Sequence, residues 1–272
     1  MVSRELARCD REGLKIVLAD ISWFEQTKGS RPYEIWRKNL ALLSATPHHV
    51  VWAKCPKEIF NEEFTTGYRV QDLVDERATQ TIRDVLAGLQ RNSDEPLNDM
   101  LTALASGIDR EKANFLQHDA NKAAVVELRD GIVNRLREKM MLLRKKCIGL
   151  ADLLADDEVS QWAFTVAKQL GCSDVTSRSL FCEPTLVHLW ITAIAGLGAE
   201  WFSQGGLDSK PADQVTNDVA DSEYIALSAS CVSVVSEDKR FNRIYDAVRQ
   251  STPKRSLRFR DMALGLKPVP CS

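Results

Sequence analysis

The stretch DSEYIALSASCVSVVSEDKRF, residues 221–241, decides how the rest of the chain is read. Its first half spaces apolar residues as a helix does. Its second half, CVSVV (231–235), is a short β-branched run that reads as a buried strand. A further helix begins at about residue 239, so the text predicts helix (about 220–230), strand, helix (about 239–250). Asp221 falls where the first helix would open, and Asp238 falls just past the strand. Each has an ordinary explanation as a helix cap or turn residue.

Working outward, the same alternation recurs near the other end of the chain. KIVLA (15–19) reads as a strand and is followed at once by Asp20. RPYEIWRKNLALLS (31–44) has helical spacing with a proline at its start. HHVVWA (48–53) reads as a second strand, and PKEIFNEEF (56–64) as a helix opened by proline. Strands alternating with helices predict a parallel α/β sheet.

Between these ends the text is nearly all helical. Segments 76–90, 96–107, 118–146 and 157–170 carry a 3.6-residue period. The longest has a one-sided stripe at Val125, Leu128, Ile132, Leu136, Met140 and Leu143. LVHLWITAIAGLG (186–198) is too short to span a bilayer and reads as a buried core helix. QGGLDSKPADQVTND (204–218) has loop composition. The chain is thus expected to be one elaborated domain. Its core would be about 12–66 and 204–250, with a helical insertion at about 67–203 and a basic tail at 251–272.

Composition narrows the function classes. The 272 residues carry a net charge of −2, so no global positive field draws in nucleic acid. Any such binding needs a local patch. The seven cysteines show no pairing pattern and no C-x-x-C, which implies reduced thiols and a cytoplasmic setting. No His/Cys spacing resembles a zinc site. The start, MVSRELARCDREGLK, is too charged for a signal peptide, and no membrane association is expected.

In an open parallel sheet, ligands bind beyond the carboxyl ends of the strands. Asp20, Asp221 and Asp238 can all be brought to that edge. Converging carboxylates repel one another unless protonated or bound to a hard cation such as Mg²⁺ or Mn²⁺.

At this point the text resembles the PIN-domain nuclease family. The likeness is carried by D-x-x-Y-I-A-L from Asp221, by V-V-S-E-D-K-R-F from Val234, and more weakly by DISWFEQTKG from Asp20. The fold it implies is α/β, a PIN-like parallel sheet flanked by helices, here with a large helical insertion. The implied site is Asp20, Glu62, Asp221 and Asp238 as catalytic metal ligands, with Ser236, Lys239 and Arg240 toward the substrate. Glu58 and Glu63 stand beside Glu62 in the same helix, and Glu58 remains an alternative second acid. The implied activity is Mg²⁺- or Mn²⁺-dependent hydrolysis of phosphodiester bonds, in RNA ahead of DNA. The likeness covers roughly 15–65 and 215–250. The interval between Glu62 and Asp221 far exceeds that of small PIN domains. Two basic segments could meet nucleic acid. One is 129–146, with seven bases against two acids, and the other is the tail KRSLRFR; a solvated helix face is the favoured reading of the first, and a loosely ordered end explains the second equally well. The rival expectations are a catalytically inactive PIN-like scaffold and a helical protein-interaction module, in which the acids are caps and the partner is another protein or a second copy.

Overall fold

The computed structural model describes residues 2–19, 32–103, 136–203, 212–234, 236 and 238–263. The chain segregates into two compact units. The first is Met1–Cys55 with Asp72–Gln117, and the second is Pro56–Gln71 with His118–Ser272.

In the first unit, α1 (Val2–Glu12) leads into β1 (Ile16–Leu18), and α2 (Pro32–Leu43) precedes β2 (Val50–Trp52). The two strands pair in parallel, with Ile16 beside Val50 and Leu18 beside Trp52. Both lie inside runs that the sequence marks as strands. α3 (Pro56–Thr66) belongs to the second unit, and the first resumes with α4 (Glu76–Gln90) and α5 (95–103). Asp75 caps α4 by accepting from the Ala78 amide at 2.9 Å. Trp36, Leu40, Val50, Trp52, Ile82, Leu86 and Leu97 form the core between the strands and α2, α4 and α5.

The PIN-like parallel sheet expected from the sequence is not what the chain forms. Among the described residues the sheet has two strands only, and the structure is otherwise helical. On one side the physical reason lies at the outer edge of β2. Successive residues of a strand direct their backbone polar groups to opposite sides. Val50 and Trp52 face away from β1, where helix α4 and the turn before it take those groups. Thr79 Oγ1 accepts from the Trp52 amide at 2.8 Å, and the Asp75 amide donates to the Trp52 carbonyl at 2.8 Å. Arg83 Nε donates to the Val50 carbonyl at 3.2 Å. A third strand has no groups left to pair with on that side. The described part of CVSVV is likewise not a strand: residues 231–234 are irregular, no strand lies beside them among the described residues, and Val232 is 62% exposed.

The second unit is a helical bundle. It contains α3 and α6 (136–144), followed by α7 (Leu150–Leu154), α8 (Asp157–Gln169) and α9 (Asp174–Cys182). Then come α10 (Leu186–Ser203), α11 (Ala212–Ser230) and α12 (Lys239–Ala263). The predicted loop at 204–218 is, over its described part, the first two turns of α11. The tail continues α12 as far as Ala263.

α10 is the centre of this unit. By length and composition it could cross a membrane, and 83% of it is buried inside the structure. It is apolar on nearly every side because neighbours cover nearly every side. At Gly196 the neighbouring α12 comes so close that an added Cβ would sit 2.9 Å from Ile244 Cγ2. The buried N-terminus of α10 needs acceptors for its orphan amides. Thr185 Oγ1 takes the His188 amide at 3.1 Å, while Glu63 takes the Leu186 amide on Oε1 at 3.0 Å and the Val187 amide on Oε2 at 2.8 Å. Glu63 also accepts from Val70 N at 3.2 Å and is fully buried.

Replacing Glu63 with alanine strands three buried amides. At roughly 1–3 kcal/mol for each unmade bond, Glu63→Ala should lower unfolding free energy by at least about 3 kcal/mol in urea titration. Burial holds the Glu63 carboxyl above its ordinary 4.5, and the hydrogen bonds only partly oppose this. Folded protein therefore keeps this proton where unfolded chain has lost it. The resulting stabilisation is complete below 4.5 and is lost as pH rises through the folded value. The stability of wild type relative to Glu63→Gln should accordingly narrow as pH is raised from 4.5 toward neutrality.

Candidate functional site

The sequence-predicted acids separate into three groups. Asp20 lies outside the described residues. Glu62 is an exposed residue of α3, next to the Glu63 that seals the start of α10. Asp221 and Asp238 are brought together: with Arg240 they line one small cleft, backed by Leu197, Ile225, Phe241 and Ile244. Leu197 is eleven residues along α10 from Leu186, or about 16 Å at 1.5 Å per residue. Glu62 is thus at the other end of α10 from this cleft and does not line it.

The two cleft acids are held differently. Asp238 is the cap of α12. Its Oδ1 accepts from the amides of Arg240 at 2.7 Å and Phe241 at 3.1 Å. Its own amide donates to Ser236 Oγ at 3.1 Å, and Asn242 Nδ2 donates to the Ser236 carbonyl at 2.9 Å. These bonds fix the carboxylate of an otherwise exposed residue. Lys239 is exposed beside it. Asp221 is half-buried in the third turn of α11 and not at its opening, because the helix begins at Ala212.

Arg240, expected to face the substrate, is instead joined to Asp218. Nη1 donates to Oδ1 at 2.6 Å and Nη2 to Oδ2 at 2.8 Å, a two-pronged pair. Asp218 is 3% exposed and also accepts from the Trp201 indole. Burial disfavours the Arg240 charge, yet Asp218, with Glu200 and Asp221 adding their fields, holds its pKa above the ordinary value. Glu200, buried at the last turns of α10, takes Arg243 Nε at 2.7 Å and Nη2 at 2.8 Å. Sequence reading assigned Asp218 to loop chemistry and passed over Glu200, Arg243 and Trp201. The available signal was the i, i+3 spacing of Asp218 and Asp221, which puts both on one face once the helix extends back through 212–218.

Of the basic segment 129–146, the described part shows Lys139 paired with Asp156 at 2.7 Å and Glu158 at 3.6 Å. Arg144, Lys145 and Lys146 are exposed. Elsewhere, in the first unit, Asp10, His48 and His49 place potential ligand atoms within 4.8 Å of one another. His49 Nδ1 faces the Leu14 carbonyl at 2.9 Å and Nε2 faces Asp10 at 2.7 Å. Both nitrogens of this buried ring are occupied, and they tie α1 to the turn at Pro47–His49. Glu62, Asp221 and Asp238 form no comparable three-ligand group among the described residues.

Comparison of the chain with profiles of protein families, with curated proteins and with solved structures gives no match.

The Asp218–Arg240 pair makes a stability prediction. Removing one partner leaves the other charge largely buried and unmatched, which costs about 3–5 kcal/mol when burial is deep. Asp218→Ala should lose about 3 kcal/mol in chemical denaturation. The double variant Asp218→Leu with Arg240→Met should recover most of that loss.

Proposed function

We propose that the chain is a divalent-cation-dependent nuclease acting on RNA, with Asp221 and Asp238 as its central carboxylates. The observation that carries this reading is their meeting in one cleft from separate helices, with Arg240 beside them. The likeness of residues 221–241 to a nuclease family supports it, although the described residues form only a two-stranded sheet.

The residues present fit Mg²⁺ or Mn²⁺. Such ions take hard oxygen ligands, and Mg²⁺ is commonly held by one or two carboxylates while keeping several waters. The cap bonds on Asp238 fall on Oδ1, so Asp238 Oδ2, with the Asp221 carboxylate, would hold an ion. Bound there, a divalent ion would polarise a phosphoryl oxygen and lower the pKa of a water. The protein's own part is orientation. Ser236 and the α12 amides fix Asp238, while α11 fixes Asp221 relative to it. Asp218 fixes Arg240, whose positive charge at the cleft wall favours approach of a phosphodiester.

One observation favours a second reading. Asp238 has a complete structural explanation as a cap, and the neighbouring Asp218 has one as the partner of Arg240. On that reading the chain is a helical interaction protein and the acids only hold helices together.

The two readings diverge in a cleavage assay on single-stranded RNA with Mg²⁺ or Mn²⁺. Changes around metal ligands typically cost 10–100-fold, so loss of a ligand costs at least that. Asp221→Ala and Asp238→Asn should each lower the cleavage rate by about a hundredfold or more. Asp238→Asn keeps a capping oxygen, so its melting temperature should stay close to wild type. Equal cleavage by variant and wild type, or no metal-dependent cleavage by the wild type, leaves the interaction protein as the better account.

A further inference from the structure

A second concavity of the helical unit is larger and has different chemistry. It is an open cavity of about 360 Å³ lined by Arg69, Pro184, Leu189, Ala229, Ser230, Cys231, Val232 and Arg249. Two guanidinium groups line it, and among the described residues no carboxylate does. That volume is in the range of small-molecule sites.

The two arginines are presented in different ways. Arg249 is held in place: Nη1 donates to the Val232 carbonyl at 2.6 Å and to Tyr245 Oη at 2.8 Å, and its guanidinium carbon lies 5.7 Å from the Tyr245 ring centre. Those bonds use Nη1 and leave the Nε and Nη2 donors without a partner among the described residues. The Arg69 guanidinium makes no hydrogen bond or ion pair among the described residues. The acid that feels its charge is Glu63, whose oxygens are turned to the amides of Val70, Leu186 and Val187. Arginine supplies forked donors that match phosphate and carboxylate oxygens. Two arginines without a counter-acid suit a dianion better than a monoanion. A phosphate monoester carries close to two charges at neutral pH. Pro184, Leu189, Ala229 and Val232 supply apolar wall beyond the charged part.

We propose that this cavity binds a phosphate monoester carried on a nucleoside, either as a free nucleotide or as the 5′-terminal phosphate of an oligonucleotide. Arg69 and Arg249 take the phosphate oxygens, and the apolar wall takes the body of the nucleoside. The site lies outside the Asp221/Asp238 cleft and does not depend on that cleft being catalytic.

The test is calorimetric titration of the full chain with inorganic phosphate, AMP, and one short RNA carrying either a 5′-phosphate or a 5′-hydroxyl. The phosphorylated nucleoside ligands should bind, and added salt should weaken them. Arg69→Gln and Arg249→Gln should each weaken binding at least about tenfold, as expected for loss of a charge-assisted contact. Lys168→Gln, an exposed base elsewhere in the unit, should leave it unchanged. Arg69→Gln breaks no protein hydrogen bond, so its melting temperature should match wild type and loss of binding cannot be assigned to misfolding. Site-resolved maleimide labelling gives a second readout: ligand should slow modification of Cys231 in the cavity wall and spare that of exposed Cys147. Binding by AMP alone identifies a free nucleotide as the source, and binding by the 5′-phosphorylated RNA alone identifies a nucleic-acid end. No binding by any phosphorylated nucleoside, or wild-type affinity in Arg69→Gln, overturns the proposal.

Discussion

An apolar helix with a buried start must have its orphan amides satisfied by other groups, and side chains near both ends of α10 fix the helices packed around it. The start of α10 is closed by Glu63 and Thr185. Near its other end, Glu200 carries Arg243, and Trp201 reaches Asp218. The bonds to Glu63, Arg243 and Asp218 reach three different helices, so α3, α12 and α11 are all referenced to α10. The contact at Gly196 then lets α12 lie close against it. The cleft holding Asp221 and Asp238 is a product of that arrangement, because its walls are side chains of α10, α11 and α12.

Capping and ligand binding are compatible in one carboxylate. A helix cap needs a single acceptor oxygen, and Asp238 uses Oδ1 for it. The same bonds that explain the residue structurally also remove its freedom to rotate, which is what a binding or catalytic group requires of its support. The competition at the cleft comes from Arg240, whose charge neutralises the local field. Its two-pronged attachment to Asp218 draws that charge toward α11.

Much of the local structure was legible in the sequence. KIVLA and HHVVWA contain the two strands, and the proline-led helices begin at Pro32 and Pro56. LVHLWITAIAGLG is indeed a buried helix, and it runs on to Ser203. The sheet was over-read because strand propensity in CVSVV says nothing about whether a partner strand exists. The helical start of α11 was hidden by its Asp, Asn and Thr content, since these residues favour turns in isolation and are held helical here by packing. That one misreading moved Asp221 to a helix opening and set Asp218 aside. In PKEIFNEEF, charge pattern alone could not tell exposed Glu62 from buried Glu63. Only the position of the α10 N-terminus distinguishes them. The meeting of Asp221 and Asp238 was anticipated, though by a strand-end geometry that the chain does not use.

The closed outer edge of β2 has a consequence for how this protein behaves in a crowded solution. An unpaired strand edge is a template on which another chain can add a strand, the first step of edge-to-edge aggregation. VVW is the sort of short apolar segment that would nucleate it. By giving the Val50 and Trp52 backbone groups to Asp75, Thr79 and Arg83, helix α4 and its cap deny that template to a neighbouring molecule. The same contacts that close the sheet on the β2 side protect its most apolar strand from self-association.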